Sequence, residues 1–199
     1  PEDKQKAKLY GKIAAVLTPL TKALSTEMAN EVSYDSLQIH GVTGYMKDFD
    51  VERYCRDARI TNIYEGTTQL QHVAAIGGVT QRVLEPLMDG FSHLPYHGKL
   101  RRLASGVDVA RQKLNRAVES TLGRDDKEYL NLMTRRLCNA ETIIYISYLM
   151  LRDALTDPDR ELVAERYIID NLPLAELDCD IAMSGDLSII DERDKILAM

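Results

Sequence analysis

Leu100, Leu103, Val107, Ala110, Leu114 and Ala117 recur at steps of three and four residues, and Leu130, Met133, Leu137, Ala140, Ile144, Tyr148 and Leu151 resume the pattern after a break at "GRDD". A helix turns once in about 3.6 residues, so each set forms an apolar seam along one helical face. Such seams are buried only by packing on one another. Asp157-Pro158 ends the second seam, and a third helix is predicted from about 159 to 171, where Pro173 stops it. Short connections between three such helices predict an up-down bundle. No segment alternates with the period of a strand, and the chain is predicted to be all-α.

The first half is also read as helical. Residues 3–17 place Leu9, Ile13, Val16 and Leu17 among strong helix formers. Thr18-Pro19 has the chemistry of a new helix start, with threonine as cap and proline at the first helical position. Leu20, Leu24, Met28, Val32 and Leu37 then mark a helix to about Ile39. "HGVTGYMKDFD" reads as a loop, Val51 to Tyr64 as a shorter helix, and Thr67 to about Leu87 as another. The glycines and proline of "MDGFSHLPYHG" suit a linker, which divides the chain into domains at 1–88 and 98–199.

Over 199 residues the formal charge is -6, with Lys and Arg mixed among Asp and Glu, so no basic stripe is available for nucleic acid. No apolar run has the length of a membrane span. Cys55, Cys138 and Cys179 are far apart and odd in number, the pattern of free thiols in a reducing compartment. The histidines are His40, His72, His93 and His97; Pro95 separates the one pair at helical spacing, so no metal site is expected. The opening "PEDKQKAK" lacks an initiating methionine and starts mid-pattern, which is read as the C-terminal piece of a longer protein.

The most informative stretch runs from Gln38 to Gln71, "QIHGVTGYMKDFDVERYCRDARITNIYEGTTQLQ". Its acid-glycine pair, Glu65-Gly66, interrupts a helical pattern and places a carboxylate at the interruption. The stretch resembles the C-terminal helical domain of the acyl-CoA dehydrogenases in three motifs at the family's spacing: a Q-x-x-G-G-x-G-[YF] loop, V-E-[RK]-x-x-R-D-[AS]-[RK], and I-Y-E-G-T-x-x-[IL]-Q. Residues 18–85 carry the resemblance. Beyond residue 98 the chain is similar only in general character to the extra helical domain of the larger members. One position departs: the family's second loop glycine is Val42 here, whose side chain narrows the backbone's approach to FAD and disfavours positive φ.

The resemblance implies an incomplete acyl-CoA dehydrogenase C-terminal bundle, truncated on its N-terminal side, followed by a second small helical bundle. It assigns Glu65 as the base that takes the α-proton of an acyl-CoA thioester while FAD accepts the β-hydride, giving a trans-2-enoyl-CoA, the oxidising step of fatty-acid β-oxidation. Burial against substrate and flavin is what raises such a carboxylate toward useful basicity. The family's thioester oxygen is held by the glutamate's own backbone N–H, which a helix break leaves available. Gln38, Gly41 and Val42, in a loop that serves the neighbouring subunit, and Thr67 and Gln69, at the start of the next helix, are implied FAD contacts; Gly66 leaves room for substrate.

Electron-transfer flavoprotein as acceptor and a homo-oligomer, dimer or larger, are further implications, as is a cytoplasmic location, or the mitochondrial matrix in a eukaryote. Only one wall of the flavin site lies in these residues, so the chain alone is expected to be inactive and to hold FAD weakly or not at all. An acyl-CoA oxidase, and a helical interaction module that kept the motif without the chemistry, are the alternatives. Arg56 and Asp57 read as a structural ion pair, Tyr45, Tyr54 and Tyr64 as core or interface aromatics, and "IIYISYLMLRD" as core.

Overall fold

The computed structural model describes residues 2–198. Among these there are helices and turns and no strands, in agreement with the all-α expectation. The chain divides into two compact units, Pro1–Gly78 and Val79–Met199.

The first unit is organised by one long helix, α1 (Glu2–His40), against which α2 (Val42–Tyr45) and α3 (Val51–Thr61) pack. The expected restart at Thr18-Pro19 does not occur: Pro19 lies inside α1. A proline in a helix interior costs about 3 kcal/mol. Pro19 is itself buried, beside the buried Val16, Leu20 and Ala23. Burying one large aliphatic side chain contributes about 1.5–3 kcal/mol, so this cluster offsets the lost hydrogen bond. The next helix, α4 (Thr68–Thr80), approaches α1 where Gly78 faces Val16; a Cβ at Gly78 would lie 2.0 Å from Val16 Cγ2.

The continuous helix expected from Thr67 to Leu87 is interrupted. α4 ends at Thr80, Arg82 takes φ 55°, and α5 (Glu85–Ser92) begins with Pro86 in its first turn. A proline is tolerated there because the first turn's N–H groups have no helical acceptor. The Arg82 guanidinium donates to the Asn115 carbonyl at 3.1 Å and to Glu119 Oε1 at 2.6 Å, which secures the bend. Much of the predicted linker is therefore helical, and only 93–97 separate α5 from α6.

The second unit is built on α6 (Gly98–Gly123), α7 (Lys127–Thr156) and α8 (Glu161–Ser184), each packed against the other two. The end of α6, the start of α7 and the end of α8 meet where the Thr121 and Tyr129 hydroxyls both donate to the Ala182 carbonyl. At the opposite end Lys99 of α6 pairs with Glu161 and Glu165 of α8. The order is up, down, up, as the seams predict. Asp126 caps α7 by accepting from the Glu128 and Tyr129 N–H groups. α8 runs through Pro173 instead of stopping there, because Ile168, Leu172, Ala175, Cys179 and Ala182 keep its buried face continuous. Val107, Leu114, Leu137, Ile144, Tyr148 and Leu151 are buried, so most of the seam is core; Leu103, Leu130 and Tyr145 are half-buried, and in the tyrosine-rich run Arg152 is exposed. Two short helices, α9 (Ser188–Asp191) and α10 (Arg193–Leu197), complete the described chain. No described helix is long and apolar enough to cross a membrane.

Candidate active site

α3 stops at Thr61, three residues before the expected Tyr64, and the backbone winds one further turn, with the Ile63 and Tyr64 N–H groups both reaching the Ile60 carbonyl. Glu65 then breaks the winding. Its φ is 54°, uncommon for a residue with a Cβ, and Gly66 follows at φ 95°. Two consecutive positive φ angles reverse the chain, and the Thr68 N–H returns to the Asn62 carbonyl at 3.3 Å. Thr67 precedes α4, its hydroxyl accepting the Leu70 N–H at 3.4 Å.

Side chains from two helices hold this turn. Gln71 of α4 donates from Nε2 to the carbonyls of Glu65 (2.9 Å) and Gly66 (3.3 Å). Lys22 of α1 donates from Nζ to the Gly66 carbonyl at 2.7 Å and lies 5.7 Å from the centre of the Tyr64 ring. Below them the Glu27 carboxylate accepts from the Thr68 hydroxyl and from Asn62 Nδ2, whose own Oδ1 accepts from Arg59. Asn30 Nδ2 donates to the Ala58 carbonyl at 2.9 Å. One face of α1 thus supplies Lys22, Glu27 and Asn30 to the α3–α4 connection.

The side chain of Glu65 is exposed, and among the described residues neither its carboxylate nor its backbone N–H has a hydrogen-bond partner. Gly66 and Thr67 share this turn, and Gln69 lies in the first turn of α4. The second group sits at the end of α1, where the Gly41 N–H returns to the Gln38 carbonyl at 3.1 Å. Gly41 has φ 63° and ψ -146°, a region closed to residues other than glycine, and a Cβ there would meet nothing within 4 Å. Val42 opens α2 with an exposed side chain and without positive φ, since Gly41 alone makes the reversal. No hydrogen bond or ion pair among the described residues joins the Gln38–Val42 group to the Glu65 turn.

One supporting expectation fails. Arg56 pairs with Glu52 at 2.8 Å, one helical turn back, because adjacent residues 56 and 57 point to different faces. Tyr45, Tyr54 and Tyr64, expected as core or interface aromatics, are exposed to 76 %, 56 % and 50 %, so of the two roles core is excluded. Sequence reading also passed over Lys22, Glu27 and Asn62. Gln71 enters the sequence only as the last residue of its motif.

Residues 5–77 match the family model described as the acyl-CoA dehydrogenase C-terminal domain. They form an acyl-CoA dehydrogenase C-terminal domain. A probable acyl-CoA dehydrogenase of Mycobacterium leprae is 47 % identical over 57 residues, which are 29 % of this chain and 15 % of that protein. The mitochondrial short-chain specific acyl-CoA dehydrogenase of Rattus norvegicus is 43 % identical over 58 residues, 29 % of this chain and 14 % of the rat protein. A subunit of the caffeyl-CoA reductase-Etf complex of Acetobacterium woodii is also 43 % identical over 58 residues, 29 % of this chain and 15 % of its own length.

Two features of the acyl-CoA dehydrogenase domain are open to a ligand. The Glu65 N–H is an unused donor beside an unpaired carboxylate, and the first N–H groups of α4 carry the positive end of a helix dipole. The space around Gly41 lets a large ligand approach the backbone closely. Among the described residues no group of three or more His, Cys, Asp or Glu side chains could hold a metal ion.

Proposed function

We propose that the acyl-CoA dehydrogenase domain contributes one wall of a flavin and acyl-CoA site, with Glu65 as the base that removes the α-proton of the thioester. The observation that carries the reading is the Glu65 turn. A glutamate held at φ 54° keeps its carboxylate unpaired and its N–H unused, so one residue offers a proton acceptor and an oxyanion donor. Within the helical ladder that N–H would have a carbonyl partner and could not serve the thioester oxygen.

Gln38, Gly41 and Val42 at the end of α1, and Thr67 and Gln69 at the start of α4, would hold FAD. Bound FAD would supply the acceptor for the β-hydride, so that the product is a trans-2-enoyl-CoA. Gly66 keeps the turn narrow beside the substrate. A Cβ there would lie 3.0 Å from Gln71 Nε2 and would disturb the clamp. Residues 98–199 would form the additional C-terminal helical domain of a larger family member.

An electron-transfer flavoprotein is the proposed electron acceptor, supported by the relative named for its complex with Etf. A homo-oligomer is supported by the apolar side chains exposed on the first unit, among them Tyr10, Val32 and Ile39. The cytoplasm, or the mitochondrial matrix in a eukaryote, is the proposed compartment, and the rat relative is mitochondrial.

Replacing Glu65 by Gln in the flavin-loaded enzyme tests the central assignment. The carboxamide keeps the shape and cannot accept the proton. Turnover should fall by at least about a hundredfold while the flavin stays bound. Turnover within a few-fold of the parent would remove Glu65 from the role.

A further inference from the structure

We infer that Lys22, working with Gln71, is a positioning residue that holds the Glu65 turn in its reversed conformation. The inference rests on the reading of Glu65 as the base, and it adds a residue that lies in none of the three motifs and is separated from Gly66 by 44 positions in sequence.

A glutamate has no intrinsic preference for φ 54°, and other conformations of the turn are open to it unless its surroundings select this one. Two peptide planes must be fixed. Gln71 Nε2 reaches both carbonyls, at 2.9 Å for Glu65 and 3.3 Å for Gly66, but it belongs to the helix that the turn itself starts, and it moves with the turn. Lys22 comes from outside, on the long helix α1, and its ammonium meets the Gly66 carbonyl at 2.7 Å. A charged donor makes this the strongest of the three contacts.

The lysine is held in turn. Its side chain is half-buried, its head lies 5.7 Å from the Tyr64 ring centre, and Tyr64 immediately precedes Glu65. With the Gly66 carbonyl tied to α1, the Glu65 N–H stays outside the α3 ladder and the carboxylate projects from a fixed backbone. Without the tie the turn can relax toward a continued helix, in which the N–H recovers a carbonyl partner. Lys22 neither touches the reacting atoms nor takes the proton. It sets where Glu65 stands, and small displacements of a catalytic group are costly in rate.

The test compares Lys22→Met, which keeps length and loses the donor, with Lys22→Arg, which restores a charged donor. Amide hydrogen exchange in the 199-residue chain reads the turn with no cofactor involved. Exchange at the Thr68 amide, which closes the turn on the Asn62 carbonyl, should quicken by about tenfold or more in Lys22→Met, with the Val16 and Leu20 amides unchanged, and return toward the parent in Lys22→Arg. Should Lys22→Met fail to fold, Gln71→Leu loosens the same carbonyls from the other side and is read in the same way. In the flavin-loaded enzyme Lys22→Met should lower kcat by about tenfold to a hundredfold with flavin content and KM little changed. Unchanged exchange at the turn would overturn the clamp. Loosened exchange with unchanged kcat would overturn its part in catalysis. Retained turnover in Glu65→Gln is a different result, which defeats the reading of Glu65 and leaves the exchange behaviour as it is.

Discussion

Asn62 donates from Nδ2 to Glu27 Oε1 across 3.2 Å, tying the end of α3 to the middle of α1 through two side chains 35 positions apart. Asn62 is only 8 % exposed, and its Oδ1 is occupied by Arg59. The connection that carries Glu65 is therefore braced from below by a polar network and from above by Lys22.

Removing Glu27 tests that brace. Glu27→Ala leaves the Asn62 amide and the Thr68 hydroxyl without their shared acceptor, and Asn62 is too buried for water to replace it fully. A cost of about 1–3 kcal/mol is expected. Urea unfolding should show a lower midpoint, and Glu27→Gln, which retains one acceptor oxygen, should recover part of the loss.

The loop after α1 separates backbone strain from side-chain bulk. Gly41→Ala forces a Cβ onto φ 63° and ψ -146°, at about 1–3 kcal/mol, although nothing lies within 4 Å of that Cβ. Val42→Gly touches an exposed position of ordinary backbone and should change stability by less than about 1 kcal/mol. Thermal unfolding of the two variants side by side measures the contrast. A larger effect at Val42 would contradict this account of the loop.

Glu141 makes the second unit sensitive to pH. Its carboxyl is 3 % exposed, and burial first, then the nearby charge of Glu85, raises its pKa from 4.5 to about 8. Between those values the folded chain keeps the proton and the unfolded chain has lost it. The folded state binds more protons, so stability falls as pH rises through the window and levels off above about 8. The slope reaches at most about 1.4 kcal/mol per pH unit. Melting temperatures from pH 5 to pH 9 should decline in the parent and flatten in Glu141→Gln, which should be the more stable protein at the alkaline end.

Titrating FAD into the 199-residue chain should give binding weaker than about micromolar. The candidate flavin contacts Gln38, Val42 and Gln69 and the candidate base Glu65 are all exposed, so these residues cover one side of a large ligand. Flavin fluorescence measures the affinity. A submicromolar dissociation constant would show that these residues suffice.

The helices of the second unit were legible because their signal is local and repeated. Val107, Leu114, Leu137 and Ile144 each fall on a seam that any helix of that sequence must present, and burying the seams leaves few arrangements. The Glu65-Gly66 interruption was legible for the same reason, since an acid and a glycine inside a helical pattern are visible without neighbours. The prolines misled. Pro19 and Pro173 are helix breakers by local chemistry, yet both lie within helices, because the apolar faces that flank them, Val16, Leu20 and Ala23 in α1 and Ile168, Leu172 and Ala175 in α8, are buried only once the helices pack. The bend at Arg82 depends on Asn115 and Glu119 of another helix. Lys22 is the plainest case. Nothing around it in sequence distinguishes it from the other surface lysines, and only the packing of α1 beside the α3–α4 turn brings its ammonium to the Gly66 carbonyl. Sequence alone determined which residues are apolar, where they repeat, and which carboxylate stands at a break. Tertiary structure decided which breaks are real and what holds the carboxylate in place, because those outcomes depend on groups that meet only once the chain is folded.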